Sequence, residues 1–199
     1  MAKIKFTKNE LKKQKDSLKR FLRYLPTLML KKQQLQMEIR KIETELAEIR
    51  RNRELCHREI LGWIAVFGED VGFSHLLSVI SLETEIGNVA GVDIPVFQDI
   101  QFAVATYDLF ELPLWVDRAI DKVKELASLD ARIHIMAEQA ELLGEELRIT
   151  SQRVNLFEKV KIPETRENIR MIQIYLGDAQ TAAVVRGKIA KKKLVRVNQ

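Results

Sequence analysis

The sequence predicts a mainly α fold: a long antiparallel two-helix coiled coil built from the N- and C-terminal arms, with a small middle region containing a β-hairpin. Three observations predict it. In both terminal parts of the chain apolar residues recur at alternating steps of three and four, the spacing that keeps one side of a helix against a partner helix. Only 8 Gly and 4 Pro occur in 199 residues while 31% are charged, which suits long helices better than a loop-rich globule. Between the arms the apolar period changes from about 3.6 to 2. The expected boundaries are 1–66 for the N-terminal arm, 67–113 for the middle region and 114–199 for the C-terminal arm.

The first arm opens at Thr7-Lys8-Asn9-Glu10, which has the form of a capping box: the Thr7 hydroxyl accepts from the Glu10 amide and the Glu10 carboxylate reaches back. The seam then runs through Leu11, Gln14, Leu18, Phe21, Leu25, Leu28, Lys32, Leu35, Ile39, Ile42, Leu46, Ile49, Arg53, Cys56 and Ile60. Only Gln14, Lys32 and Arg53 are strongly polar among them. A helix this long cannot shield such a seam alone and needs the second arm as its partner. At ~1.5 Å per residue, an arm of about sixty residues is ~90 Å long, a shaft rather than a globule. Pro26 is expected to interrupt it.

In the middle region Gly62, Gly68 and Gly72 end the helical pattern. Ile80, Leu82 and Ile86, and then Ile94, Val96, Ile100, Phe102 and Val104, follow the period of two. With Gly87, Asn88 and Gly91 between them these runs read as a β-hairpin. Trp63, Phe67, Phe73, Phe97, Phe102, Tyr107, Phe110 and Trp115 concentrate here. They suit a small core holding the hairpin against the end of the rod, or in part a docking face.

In the second arm Ala140, Leu143, Leu147, Thr150, Val154 and Phe157 keep the same spacing. Pro163 lacks an amide proton and its ring crowds the preceding turn, so a kink is expected there. Beyond it the apolar series resumes out of phase at Ile169, Ile172 and Leu176. If the arms turn back near 88–95, positions whose numbers sum to about 185 lie side by side in an antiparallel pair. That puts Pro26 near Pro163 and the N-terminus near residue 185.

Charge and motifs narrow the function classes. The formal net charge of +5 is modest, and the two signs interleave as on a solvated coiled-coil surface. The opening MAKIKFTKNELKK has no apolar core of signal-peptide length, and the run 60–67 is far too short to span a bilayer. A cytosolic chain without direct membrane insertion is expected. The single cysteine, Cys56, falls on the seam and reads as a small buried thiol. Gly177 followed by Gly187-Lys188 fails as a phosphate loop: the glycines are too far apart, and Ile189 stands where a metal-binding hydroxyl belongs. His57, His75 and His134 lack metal-ligand spacing. No catalytic, cofactor or metal residue is expected.

Three segments carry a family resemblance. They are Arg153-Val154-Asn155-Leu156-Phe157-Glu158 followed by Ile162-Pro163, Ile169 and Ile172; the spaced Thr7, Leu11, Lys15, Leu18, Leu28, Lys31, Lys32 and Leu35; and 88–95, reading NVAGVDIP, similar to an NVxGVxxP segment. In order and over nearly the whole chain they resemble the D subunits of V-type and A-type rotary ATPases. Phe21 and Tyr24 depart from that pattern, being bulky where many members carry small residues.

The resemblance implies a non-catalytic central rotor shaft standing inside a hexamer of catalytic A and regulatory B subunits. It couples ATP synthesis or hydrolysis there to proton or sodium transport by rotation. It further implies a small F subunit on the middle region, a funnel-shaped C subunit linking the foot to the membrane ring, and a peripheral place on the cytoplasmic side.

Two partner surfaces are expected on this reading. One is a hexamer-facing basic tip with Lys3, Lys5, Lys8, Lys188, Lys191, Lys192 and Lys193; the other, in the middle region, holds Val89, Gly91, Val92, Pro95 and Phe97. The competing reading is a basic helical nucleic-acid-binding arm or coiled-coil adaptor, motivated by a pI near 9.3. The shaft reading excludes nucleic acid as a partner. A generic coiled coil explains the heptads but not the hairpin.

Overall fold

A computed structural model describes residues 4–62, 73–107, 112–113 and 115–197. Lys3, Trp63, Phe67, Gly68, Gly72 and Phe110, named above, lie outside them, and Phe73 is described in backbone only. The elements in chain order are helix α1 (Lys8–Leu61), a short helical turn α2 (Phe73–Leu76), strands β1 (Leu77–Val89) and β2 (Val92–Val104), and helix α3 (Val116–Asn155). A π-helical segment (Leu156–Lys161) and helix α4 (Ile162–Val197) complete it. The chain is mainly α with one antiparallel hairpin in the middle, the class expected.

Half of the expected capping box forms. Thr7 Oγ1 accepts the Glu10 amide at 3.2 Å, and the Thr7 carbonyl accepts the Leu11 amide at 3.0 Å. The reciprocal bond is absent because Glu10 Oε1 instead accepts from Gln14 Nε2 at 2.8 Å, while the Thr7 amide donates to the Lys5 carbonyl. Helix α1 continues through Pro26 without a break, contrary to expectation. One missing amide costs a single bond in a helix held along its whole seam by packing. Every seam position from Leu11 to Ile60 is buried or half-buried, Gln14, Lys32 and Arg53 included.

The residues fall into two compact units, Met1–Lys31 with Thr150–Gln199, and Lys32–Ile149. In the second, Leu35, Ile42, Ile94, Met136 and Leu143 form the core, with Ile39, Leu46, Ile49, Ala140 and Leu147 packed around them. Ile94 belongs to β2, so the hairpin end is part of this core and lies along the helices. Its turn is two residues long, Ala90 at φ 52° and Gly91 at φ 79°, the both-positive pattern of a type I′ turn. An alanine in the left-handed region costs roughly 1–2 kcal/mol. Its methyl offsets part of that by packing on the core beside Val89 and Val92. Gly87 also leaves room for a close neighbour: a Cβ there would stand 2.8 Å from Cγ2 of Val96, which lies diagonally across the strands.

Two polar positions of this unit, Arg53 and Lys122, are answered across the helices. Arg53 Nε donates to Asp130 Oδ1 at 3.0 Å, and Lys122 Nζ reaches Glu59 Oε2 at 2.8 Å and Glu125 Oε2 at 3.0 Å.

In the first unit, Phe6 stacks on Tyr175 with ring centroids 5.0 Å apart, and Phe21 on Phe157 at 5.3 Å. The bulk of Phe21 is thus absorbed by an aromatic pair. These pairs correct the expected register. Pro26 lies five residues past Phe21 and Pro163 six past Phe157, in opposite directions along antiparallel helices, so the prolines sit about 16 Å apart along the axis rather than side by side. The meshing of seam residues, not the midpoint of the connection, sets the register. The change of phase before Pro163 also has its own device: the Ile162 amide donates to the Phe157 carbonyl, a step of five that closes the π segment. The wider turn ends just before the proline, and burial resumes at Ile162, Thr165, Ile169 and Ile172.

Candidate partner-binding surfaces

The hairpin turns its two strands to different surroundings. On β2, Ile94 is buried, the Pro95 carbonyl accepts from Gln139 Nε2, and the Arg132 guanidinium lies 5.4 Å over the Phe97 ring. Of the five middle-region candidates, Val89, Val92, Pro95 and Phe97 are half-buried against the rest of the chain, and Gly91 is exposed. A cavity of about 310 Å³ remains beneath the hairpin, lined in part by Ile42, Ile49, Val96, Phe97, Arg132 and Met136. On β1, by contrast, Val79, Ile80, Leu82 and Ile86 are exposed, Ile86 at 79% and Ile80 at 64%. Alternation in the sequence marks Ile80, Leu82 and Ile86 as one set but carries no sign of which face meets the helices.

The basic tip is staggered. Because Phe6 meets Tyr175, Lys5 and Lys8 lie near that level, whereas Lys188, Lys191, Lys192 and Lys193 lie further along α4, about 20 Å beyond for Lys188. From 177 to 194 every side chain is exposed, among them Val184, Val185, Ile189 and Leu194. Gly177 and Gly187 are interior to this helix. This end of α4 has apolar side chains and cations, with no shielding helix from the described residues.

Electrostatics elsewhere is structural. Hydrogen bonds to Glu59 and Glu125 push the Lys122 ammonium above its ordinary value, and the same Lys122 bond and charge hold the Glu59 carboxyl below its own. Burial, with help from the Glu125 charge, pushes up the thiol of Cys56, whose Sγ lies 4.0 Å from the Lys122 carbonyl oxygen. The hydrogen bond from Tyr107 to Asp117 raises the phenol. Among the described residues no group of three or more His, Cys, Asp or Glu side chains could hold a metal ion, and no helix is long and apolar enough to cross a membrane.

Sequence reasoning missed the first half of the α3 seam, where Ala119, Ile135 and Met136 are buried. The signal was present: stepping back by four and three from Ala140 gives Met136, Ile133, Leu129, Leu126, Lys122 and Ala119, all buried or half-buried.

An antiparallel coiled coil with a docked hairpin, an exposed apolar strand and an unshielded basic helix end defines a class: a helical component of a larger assembly. Comparison with known proteins fixes which. The chain belongs to the family of ATP synthase D subunits, whose profile matches residues 10–192. It is 50% identical over 199 residues to the V-type ATP synthase D subunit of Borreliella burgdorferi, covering all of this chain and 98% of the relative. The V-type ATP synthase D subunit of Chlamydia pneumoniae is 33% identical over 194 residues (96% of this chain, 93% of the relative), and that of Chlamydia caviae 34% over 196 (97% and 94%). The chain is thus part of a V/A-type ATPase, and other proteins of that complex are its partners.

Proposed function

We propose that this chain is the non-catalytic central-stalk rotor of its complex. The two arms form the shaft inside a hexamer of catalytic A and regulatory B subunits and couple ATP synthesis or hydrolysis there to proton or sodium transport. The small F subunit binds the middle region, the funnel-shaped C subunit links the foot to the membrane ring, and the assembly lies on the cytoplasmic side as a peripheral part of the head. The observation that carries this reading is the end of α4: a basic helix whose apolar residues have no shield in the described chain, in a family of ATP synthase subunits. A rotor must be gripped without sticking. Exposed cations screened over ~8 Å at physiological salt supply a diffuse bearing against an acidic inner wall. Torque further requires a continuous element, and the π segment lets the second arm pass Pro163 without losing its packing.

The test is to change Lys188, Lys191, Lys192 and Lys193 to Glu together, then measure assembly with the hexamer and ATP-driven rotation of a bead on the stalk. Assembly or torque should fall at low salt and recover in part at high salt, with helical content unchanged. A quadruple variant that assembles and turns like the parent at every salt concentration would contradict the bearing. The chain alone should hydrolyse no ATP yet change the turnover of the hexamer; micromolar nucleotide binding by the isolated chain would contradict the non-catalytic reading.

A further inference from the structure

The middle region has one surface that the fold leaves unused. The two-stranded sheet fastens to the helices through Ile94, the Pro95 carbonyl and Phe97 of β2 and Val89 at the turn end of β1, while the rest of β1 presents Val79, Ile80, Leu82 and Ile86 to solvent. Bulges sharpen this division: register shifts between Val79 and Ser81 and between Glu83 and Thr84 leave Ile80 and Gln98 without a partner across the strands. A two-stranded sheet is marginal on its own, and adjacent large apolar side chains on its open strand are a liability unless something covers them.

Charge says what covers them. From Leu77 to Val104 there are four carboxylates, Glu83, Glu85, Asp93 and Asp99, and no Lys, Arg or His, in a chain whose net charge is +5. Neutral groups satisfy them. Gln101 donates to Glu83 and Gln98 to Glu85 across the strands, Asn88 donates to Asp93, and the Ile100 amide to Asp99. Among the described residues no cation of the chain forms an ion pair with any of the four. An acidic face repels nucleic acid and anionic lipid alike; a protein surface with cations around an apolar centre complements it.

We propose that the outer face of β1, rather than the hairpin turn, is where the middle region receives its partner. Its occupant is a protein face apolar at the centre and basic at the rim, carried by the small stalk protein. Ile80, Leu82 and Ile86 fill the centre, and Glu83 and Glu85, which alternation turns to the other side of β1 but which are exposed along its open edge, meet cations at the rim of the partner. This rests on the reading that the small stalk protein binds the middle region at all.

The experiment measures binding of the purified small stalk protein to the full chain at low and high salt, for the parent, for Ile80→Ser with Ile86→Ser, and for Glu83→Lys with Glu85→Lys. All four side chains are exposed, so circular dichroism should match the parent in both variants. Charge reversal should weaken binding at least tenfold at low salt with a smaller loss at high salt; the apolar pair should weaken it at both. If the parent binds and both variants bind equally well, β1 is not the surface and the proposal fails while the assembly reading stands. If the parent itself does not bind, the reading of the middle region fails and the proposal with it. A loss of affinity that tracks a fall in helical content, with no dependence on salt, would also overturn it.

Discussion

Leu35 and Leu143 on one hand and Val185 and Ile189 on the other are all aliphatic residues in the interior of long helices, yet the first two are fully buried and the second two half exposed. The difference is not propensity or pattern but whether a second helix exists within the chain at that level. Along 32–149 the seam is closed by the chain itself and capped by the hairpin turn. Along 177–194 it is open. A helix without tertiary support is marginal in water, so the open stretch is where an outside partner would stabilise the molecule most.

The widest gap between the two regions should come from a buried charge. Ile42→Asp places a carboxylate without a partner in the core and should cost about 4 kcal/mol or more, enough to melt the packing of 32–149. Val185→Asp should stay within about 0.5 kcal/mol. Thermal melts followed by circular dichroism read both; equal effects would erase the comparison.

Much of the closed region was legible. Every position that steps of three and four named in α1 is shielded, and the Thr7 cap and the glycine turn carried their own chemistry. What stayed hidden depends on contacts between distant residues. Pro163 announces a disturbance but not that a π turn absorbs it, because that follows from where Ile162 and Thr165 must be buried. The early α3 seam was masked by Lys122, which reads as surface until Glu59 is found opposite it. The direction of β1 was hidden for the same reason, since alternation is symmetric about a sheet.

A smaller effect sharpens the contrast between hairpin and helices. A Cβ at Gly91 meets no atom within 4 Å, so the cost of Gly91→Val comes chiefly from the backbone at φ 79° and should be about 1–3 kcal/mol. The loss should fall on the hairpin and on affinity for the small stalk protein, with helical content nearly intact. Unchanged partner binding would mean that the middle region has another role.

The smallest expected effect is electrostatic. Lys122→Met removes an exposed ion-pair network, and the melting temperature should drop by a few degrees at most at neutral pH. Glu59 has a folded pKa below its ordinary value of 4.5, so its share is complete above that pH and is lost as pH falls through the folded value. Lys122 is raised above 10.5, so its share is complete below that pH and is lost as pH rises through the folded value. The parent should therefore lose its advantage over the variant in acid and in strong alkali, and hold it constant between. An advantage that changed between about pH 6 and 8 would require some other titrating group.

Hydrogen exchange on the chain, alone and assembled with the catalytic hexamer, tests the central claim most directly. In the free chain the amides of 177–194 should exchange fast while those of 35–46 and 140–150 are protected, and assembly should slow 177–194 at least tenfold and leave the closed seam unchanged. Equal protection of both regions in the free chain, or no gain at 177–194 on assembly, would contradict the account.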